Sequence, residues 1–582
     1  MRALGVLLCA APGVAVAAFL WSLDLSVPML DHWHQLDWYA RLAAGDLHWT
    51  HLFEPHGGIH IPVSARVVLT PLAFATGWSL RAEALLNVII VFLTLVVASR
   101  IAPPGEAPLG RRCRSAVDLS MAFLLFSPVI WWAWVWTIAF LHFVVNAAVV
   151  TTAWALAPAS GALDRRRFAI ALFACSVASL TRFEGLWTWW IFVPCLLHAL
   201  SGTSRQARVR GLAIWLGAGG LHVALSFWAW SALAADGGEA QALAAAFAPW
   251  GSFVIGLNQL GAPLAGFLQS VLPDLPDTRR YAAAGAFVLF GYLALSIHCA
   301  VPRRAHLLPA ALPWMTIGLF GVAFAMAIGI GRLPVLESGL LTPAYVSTYA
   351  VAPTLTTISV IQLGVLALGD RREALAPAPR PSRRAFAWAG IGLVGACLLA
   401  NYLAIVPGLL DLRRRWQGRE VCFELAGYLA ARNSCFVIAP VPIRPRELRR
   451  AAIERSERLV ALGFRPLPRR DLVRVEAPSE GRGVLQRAGL GESGEFLWVH
   501  GQLAPGGVAG ERTILLTWDD QHRFSARGVG DGPGRDFALA VPSHLLPRRE
   551  VRVRAWVYEP EHARFVRMEG EVRVGNVPAR RR

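Results

Sequence analysis

Lysine is missing from this sequence: all 56 basic residues among the 582 are arginine. Charge is scarce too, at 16% of residues against 55% hydrophobic, and the mean hydropathy is +0.47. Such a chain cannot use water as its main solvent, which excludes an ordinary soluble globular protein. Metal-type cysteine spacing is also absent. Of the eight cysteines, Cys9, Cys113, Cys175, Cys195, Cys299 and Cys397 lie in or beside apolar runs with no CxxC, and read as small hydrophobes. There is no internal repeat and no long low-complexity tract. The formal net charge of +18 does not point to nucleic acid, because the arginines gather in short clusters between apolar runs, as the positive-inside rule places them.

What the sequence does have is a series of apolar segments, at 4–23, 84–99, 117–136, 138–156, 168–180, 186–200, 212–233, 282–301, 307–330, 346–368 and 386–410. They predict an α-helical polytopic membrane protein with about 11 transmembrane helices. The first run continues through Phe19, Leu20 and Trp21 past a signal-peptidase-like stretch, so it reads as a retained signal anchor. Residues 61–80 are apolar but broken by Pro62, Pro71 and Gly77, which suits a re-entrant or interfacial helix better than a span. Arginines concentrate in the connections that begin near Arg100, Asp164, Ser201, Val301 and Gly369. Assigning those loops to the cytoplasm puts the N-terminus inside, gives an odd number of spans and leaves the C-terminus outside. The expected domains are a transmembrane part over 1–410 with its first outer loop at 24–81, a mixed helical and extended extracytoplasmic segment at 411–490, and a small β-sandwich at 491–582. Alternation at 513–518, 537–541, 551–557 and 572–574 carries the sandwich, and 447–462 is amphipathic. Cys422 and Cys435 fall in this outer region, where an oxidising compartment makes them disulfide candidates.

The first outer loop concentrates polar and aromatic groups in Leu30-Asp31-His32-Trp33-His34-Gln35-Leu36-Asp37 and again in Glu54-Pro55-His56-Gly57-Gly58-Ile59-His60. A carboxylate just outside the first span can take a proton from a hydroxyl or amine attacking an anomeric carbon, and Asp31 is the best placed. Equally, Asp31 can cap an interfacial helix with His32 and Trp33 as aromatic-belt residues. His56 and His60 are four apart, a spacing that on a helix would let them share a divalent metal with Glu54 or Asp31, although Gly57-Gly58 opposes a helix there. Arg182, Glu184 and Arg332 stand at the outer ends of spans. An arginine there can hold a departing phosphate bidentately; Arg182 and Glu184 can equally form a local ion pair, and Arg332 can be a snorkelling helix end.

Taken together these residues resemble bacterial multispan proteins related to the GT-C superfamily of polyprenyl-phosphate-sugar-dependent glycosyltransferases. The likeness is one of layout. Asp31 in Leu30-Asp31-His32-Trp33 matches the early acidic residue of the first outer loop, and the stretch from Phe53 to His60 with Arg66, Thr181-Arg182-Phe183-Glu184-Gly185-Leu186 and Gly329-Ile330-Gly331-Arg332 are similar to landmarks of those relatives. The tail, with Cys422, Cys435 and the terminal strands, is similar to their small outer domain. Two positions depart: Pro343-Ala344-Tyr345 stands where an Arg-Tyr pair is expected, and Asp31 has no second acid beside it.

The resemblance implies a bacterial inner-membrane glycosyltransferase, hexosyl or pentosyl, that uses a polyprenyl-phosphate-sugar lipid and an envelope glycan, lipid or protein acceptor. Asp31 would be the catalytic base, Arg182 and Arg332 the donor-phosphate ligands, and His32, His34, Asp37, Glu54, Arg66, Glu184 and Tyr345 supporting residues. The alternatives are a transporter or flippase for a glycan lipid, which would need charges buried mid-membrane and usually repeated halves, and a membrane-anchored glycan-binding protein with no activity of its own.

Overall fold

The computed structural model describes residues 2–23, 25, 28, 31–56, 60–101, 108–157, 163–231, 249–264, 267, 277–337, 349–368, 394–406, 409, 454–455, 457–464, 473–475, 483–490, 496–504, 512–518, 522–528, 536–542, 546, 549–559 and 564–575. Its principal helices are α1 (Arg2–Ser22), α2 (His32–Ala43), α3 (Val63–Thr76), α4 (Leu80–Ile101), α5 (Pro108–Leu125), α6 (Phe140–Leu156), α7 (Arg165–Ser179), α8 (Arg205–Ser231), α9 (Pro249–Gly261), α10 (Asp277–Ala300), α11 (Leu308–Glu337) and α12 (Pro353–Leu368). Among the described residues nine strands follow: β1 (Val473–Val475), β2 (Gly483–Leu490), β3 (Phe496–Leu503), β4 (Arg512–Trp518), β5 (His522–Gly528), β6 (Asp536–Pro542), β7 (Val551–Glu559), β8 (Arg564–Arg567) and β9 (Val572–Val574).

Two compact units emerge. The first is Met1–Ser22, His48–Thr76 and Arg81–Asp411; the second joins Leu23–Leu47 and Gly77–Leu80 to Leu412–Arg582. In the first, among the described residues, seven helices are long and apolar enough to cross a membrane: Gly5–Ser22, Leu80–Ile101, Ser115–Val135, Thr137–Leu156, Arg205–Ala229, Thr278–Ala300 and Pro302–Ile330. The chain is thus a mostly helical polytopic membrane protein. Other apolar runs make shorter helices. The 14 residues of α3 extend about 21 Å, short of a hydrocarbon core of about 30 Å. The run at 186–200 is not one helix but Phe183–Trp187, Thr188–Ile191 and Val193–Ala199, the last break coming where Pro194, lacking an N–H, starts a new turn.

Close backbone approach sets the packing of α9 against α10 and α11. A Cβ on Gly285 would lie 1.8 Å from the Leu257 carbonyl oxygen, and one on Gly329 would lie 2.1 Å from that of Ser252. Both positions need glycine so that the helices can touch along their backbones. The start of α7 is fixed locally, where the Asp164 side chain accepts from the Arg167 N–H at 2.7 Å.

The second unit carries the strands. One sheet runs β1-β8-β7-β4-β5 with β9 also on β7, and the other runs β2-β3-β6; β1 and β8 pair in parallel. Inward side chains of both sheets share one core, including Leu497, Val499, Phe537 and Leu539 from one and Ile514, Leu516, Trp518, Val553 and Val557 from the other. Among the described residues the first strand starts at Val473, inside the 411–490 stretch expected to be mixed helical and extended. Also in this unit, α2 buries His32, Trp33, Leu36 and Tyr39, a stripe repeating every three to four residues.

Candidate functional site

The segment after α7 turns sharply because Gly185 lies against the end of that helix; a Cβ there would be 2.0 Å from the Ala178 carbonyl oxygen. Thr181 anchors the turn, its hydroxyl lying 2.6 Å from the Val177 carbonyl and 2.8 Å from the Ser64 hydroxyl at the start of α3. This geometry drives two charged side chains inward: Arg182 is 5% exposed and Glu184 3%. They pair bidentately, Arg182 Nε to Glu184 Oε2 at 3.2 Å and Nη2 to Oε1 at 2.9 Å. The third guanidinium nitrogen, Nη1, lies 3.1 Å from Nε2 of His142 in α6. Arginine only donates, so that imidazole nitrogen accepts.

Aromatic rings close the cluster. Arg182 lies 5.7 Å from the Phe324 centroid on α11, and His142 meets Phe324 and Tyr349 edge-on at 5.7 and 5.5 Å. His60 Nδ1 sits 3.8 Å from Glu184 Oε2 and 3.4 Å from the Phe183 N–H. At 3.8 Å its contact with Glu184 is longer than a hydrogen bond and is electrostatic. Burial alone would raise the Glu184 carboxyl, but the Arg182 charge above all, then His60, outweighs it and holds the group down at about 2. The quartet is therefore an ionised, internally neutralised pair flanked by two imidazoles.

Around it, Arg66 forks onto the carbonyls of His51 and Leu52 at 2.8 and 2.7 Å and so fixes the short turn Trp49–Phe53. Glu54 lies 3.7 Å from His51. His56 and His60 do not share a helix face; they pair through their backbones, His56 N to His60 O at 2.6 Å and the reverse at 3.2 Å. Among the described residues no three His, Cys, Asp or Glu side chains converge as a metal site requires.

Asp31, His32, His34 and Asp37 belong to the second unit, whereas Arg332 belongs to the first. Asp31 occupies the N-cap position of α2 with helical φ and ψ, and its side chain makes no cap hydrogen bond. His32 is fully buried, and that burial, opposed only by the neighbouring Asp31 charge, lowers its imidazole to about 4. His34 is exposed, and Asp37 pairs with Arg458. Arg332 lies in the last turns of α11. Tyr345, Cys422 and Cys435 fall outside the described residues.

Two participants in the cluster, His142 and Tyr349, escaped the sequence reading. Both sit inside apolar runs with no pattern to mark them. Glu83, in the first turn of α4, is fully buried and accepts from the Thr137 hydroxyl at 2.5 Å, while Asn87 one turn on donates to the Thr137 carbonyl at 3.0 Å. The tryptophan cluster at 131–136 is partly core: Trp134 stacks on Phe143 at 4.7 Å and its Nε1 donates to the Ser127 carbonyl at 3.2 Å.

Compared with known protein families, curated proteins and solved structures, the chain matches none.

Proposed function

We propose that this chain is a membrane glycosyltransferase that moves a sugar, with inversion, from a polyprenyl-phosphate donor to an envelope glycan, lipid or protein acceptor at the outer face of a bacterial inner membrane. The acceptor hydroxyl or amine attacks the anomeric carbon as the bond from that carbon to the phosphate oxygen breaks. Asp31 takes the acceptor proton, and the lipid phosphate leaves carrying the electron pair of the broken bond. The observation that carries this reading is the position of Asp31: a carboxylate at the head of the first helix after the first span, partly exposed, and not used as a helix cap. By the resemblance alone, Arg332 is the cation assigned to the departing phosphate. Arg182 contributes N–H groups more than net charge, because Glu184 neutralises its guanidinium.

The topology that goes with it has about 11 spans, a cytoplasmic N-terminus and an extracytoplasmic second unit, following the arginine-rich connections. Asp31→Asn is the direct test, using purified full-length protein in nanodiscs with farnesyl-phosphate esters of mannose and of arabinose as donors. Transfer should fall by about 100-fold or more, the contribution typical of general-base catalysis, with the melting temperature unchanged. Wild-type rates in that variant would remove Asp31 as the base.

A further inference from the structure

The helical turn at 457–461 ends in a Schellman motif, with the Gly463 N–H on the Val460 carbonyl and the Phe464 N–H on the Leu459 carbonyl, both at 2.9 Å. Gly463 has φ +72°, the left-handed backbone this reversal demands. The turn delivers Phe464 into a three-ring cluster. Tyr39 of α2 meets Trp78 at 5.2 Å and Phe464 at 5.8 Å, both near perpendicular, and Trp78 meets Phe464 at 5.8 Å.

Trp78 itself holds φ +54°, costly for a bulky residue, and such strain persists only where the surroundings fix it. One turn back, Arg458 pairs with Asp37, and the Arg455 guanidinium lies 5.3 Å above the Trp33 ring. Thus α2 is gripped along its length at Trp33, Asp37 and Tyr39 by a single short segment, while Asp31 heads that same helix.

We propose that residues 454–464 are a clamp that sets the attitude of α2, with Phe464, Arg455 and Arg458 as positioning residues for the Asp31 carboxylate; the catalytic half of this statement rests on the glycosyl-transfer reading above. The polar and ring contacts act through helix orientation. None of the three touches the reacting atoms.

The full-length protein in nanodiscs tests this with Phe464→Ala, the conservative Phe464→Tyr, and Gly463→Ala. The last strains only the turn, since a Cβ there meets nothing within 4 Å. Hydrogen exchange at residues 31–43 should quicken at least tenfold in Phe464→Ala and Gly463→Ala, with exchange in α10 to α12 unchanged, and Phe464→Tyr should restore protection. With the farnesyl-phosphate donors, kcat should fall at least tenfold in the two loosened variants while donor KM stays within twofold, and Phe464→Tyr should recover it.

Unchanged exchange in α2 would overturn the clamp. Faster exchange with an unaltered kcat would overturn its positioning role. If the wild-type chain transfers neither sugar, the glycosyl-transfer reading falls and exchange alone decides whether the clamp exists.

Discussion

His32 and Glu184 are both buried and titratable, yet their surroundings make stability depend on pH in two different windows. An unfolded chain protonates the His32 imidazole near pH 6.5, whereas the folded chain does so only at about pH 4. Between those values the unfolded state binds more protons, so the contribution of His32 is complete above pH 6.5 and is lost as pH falls toward 4. A shift of that size corresponds to about 3 kcal/mol. Glu184, held at about 2, contributes stability that is complete above its ordinary value of 4.5 and disappears only as pH drops through about 2. Acidification from pH 7 to 4.5 should therefore lower the unfolding temperature mainly through His32. His32→Gln should flatten that part of the profile in differential scanning fluorimetry. A slope retained in His32→Gln would assign the acid sensitivity to another group.

Among the elements, what the sequence made legible follows from which signals survive packing. β7 reads clearly at its start, where buried Val551, Val553 and Ala555 alternate with Arg552 and Arg554, whereas β4 reads as an apolar run because Ile514 to Trp518 are buried on both faces. β2 was not legible, since a register shift between Leu485 and Arg487 breaks the period of two. β5, with the sequence His-Arg-Phe-Ser-Ala-Arg-Gly, alternates at only two apolar residues, Phe524 and Ala526, too few to announce a strand without its antiparallel partner β4. Helix contacts made through glycine are equally silent in hydropathy, although they impose the strictest limits. Gly329→Ala would press a methyl group on the Ser252 carbonyl and should cost about 1–3 kcal/mol by forcing α9 and α11 apart. Gly217→Ala on α8, where a Cβ meets nothing within 4 Å, should be neutral or slightly stabilising, because alanine forms helix more readily. Thermal unfolding of the two variants in the same detergent checks the contrast, and equal melting points would refute the close-contact argument.

For the molecule as a whole, the arginine clusters and the two compact units bear on the proposal from different sides. The candidate site was legible only in pieces: Arg182 and Glu184 stand out as charges in an apolar chain, and the structure adds His60, 122 positions before Arg182 in sequence, through a backbone pairing with His56 that no local pattern announces. Asp31 was legible as an acid after the first span, but its attachment to the C-terminal part rests on Phe464 and Arg458, more than 400 residues away. Sequence periodicity sees neighbours within a helix or strand, so contacts at that separation leave no trace in it. Orientation is the remaining link, because a base on α2 and a cation on α11 can serve one reaction only if both face the same compartment. Single cysteines at His34, Arg332 and Arg303 in a background lacking the eight native cysteines test it in intact spheroplasts. A membrane-impermeant maleimide should label positions 34 and 332 directly and 303 only after permeabilisation, since Arg303 lies in an arginine-rich connection and the other two do not. Label at 34 without label at 332, while 332 reacts after permeabilisation, would put base and cation on opposite sides of the bilayer and end the case for glycosyl transfer by this pair.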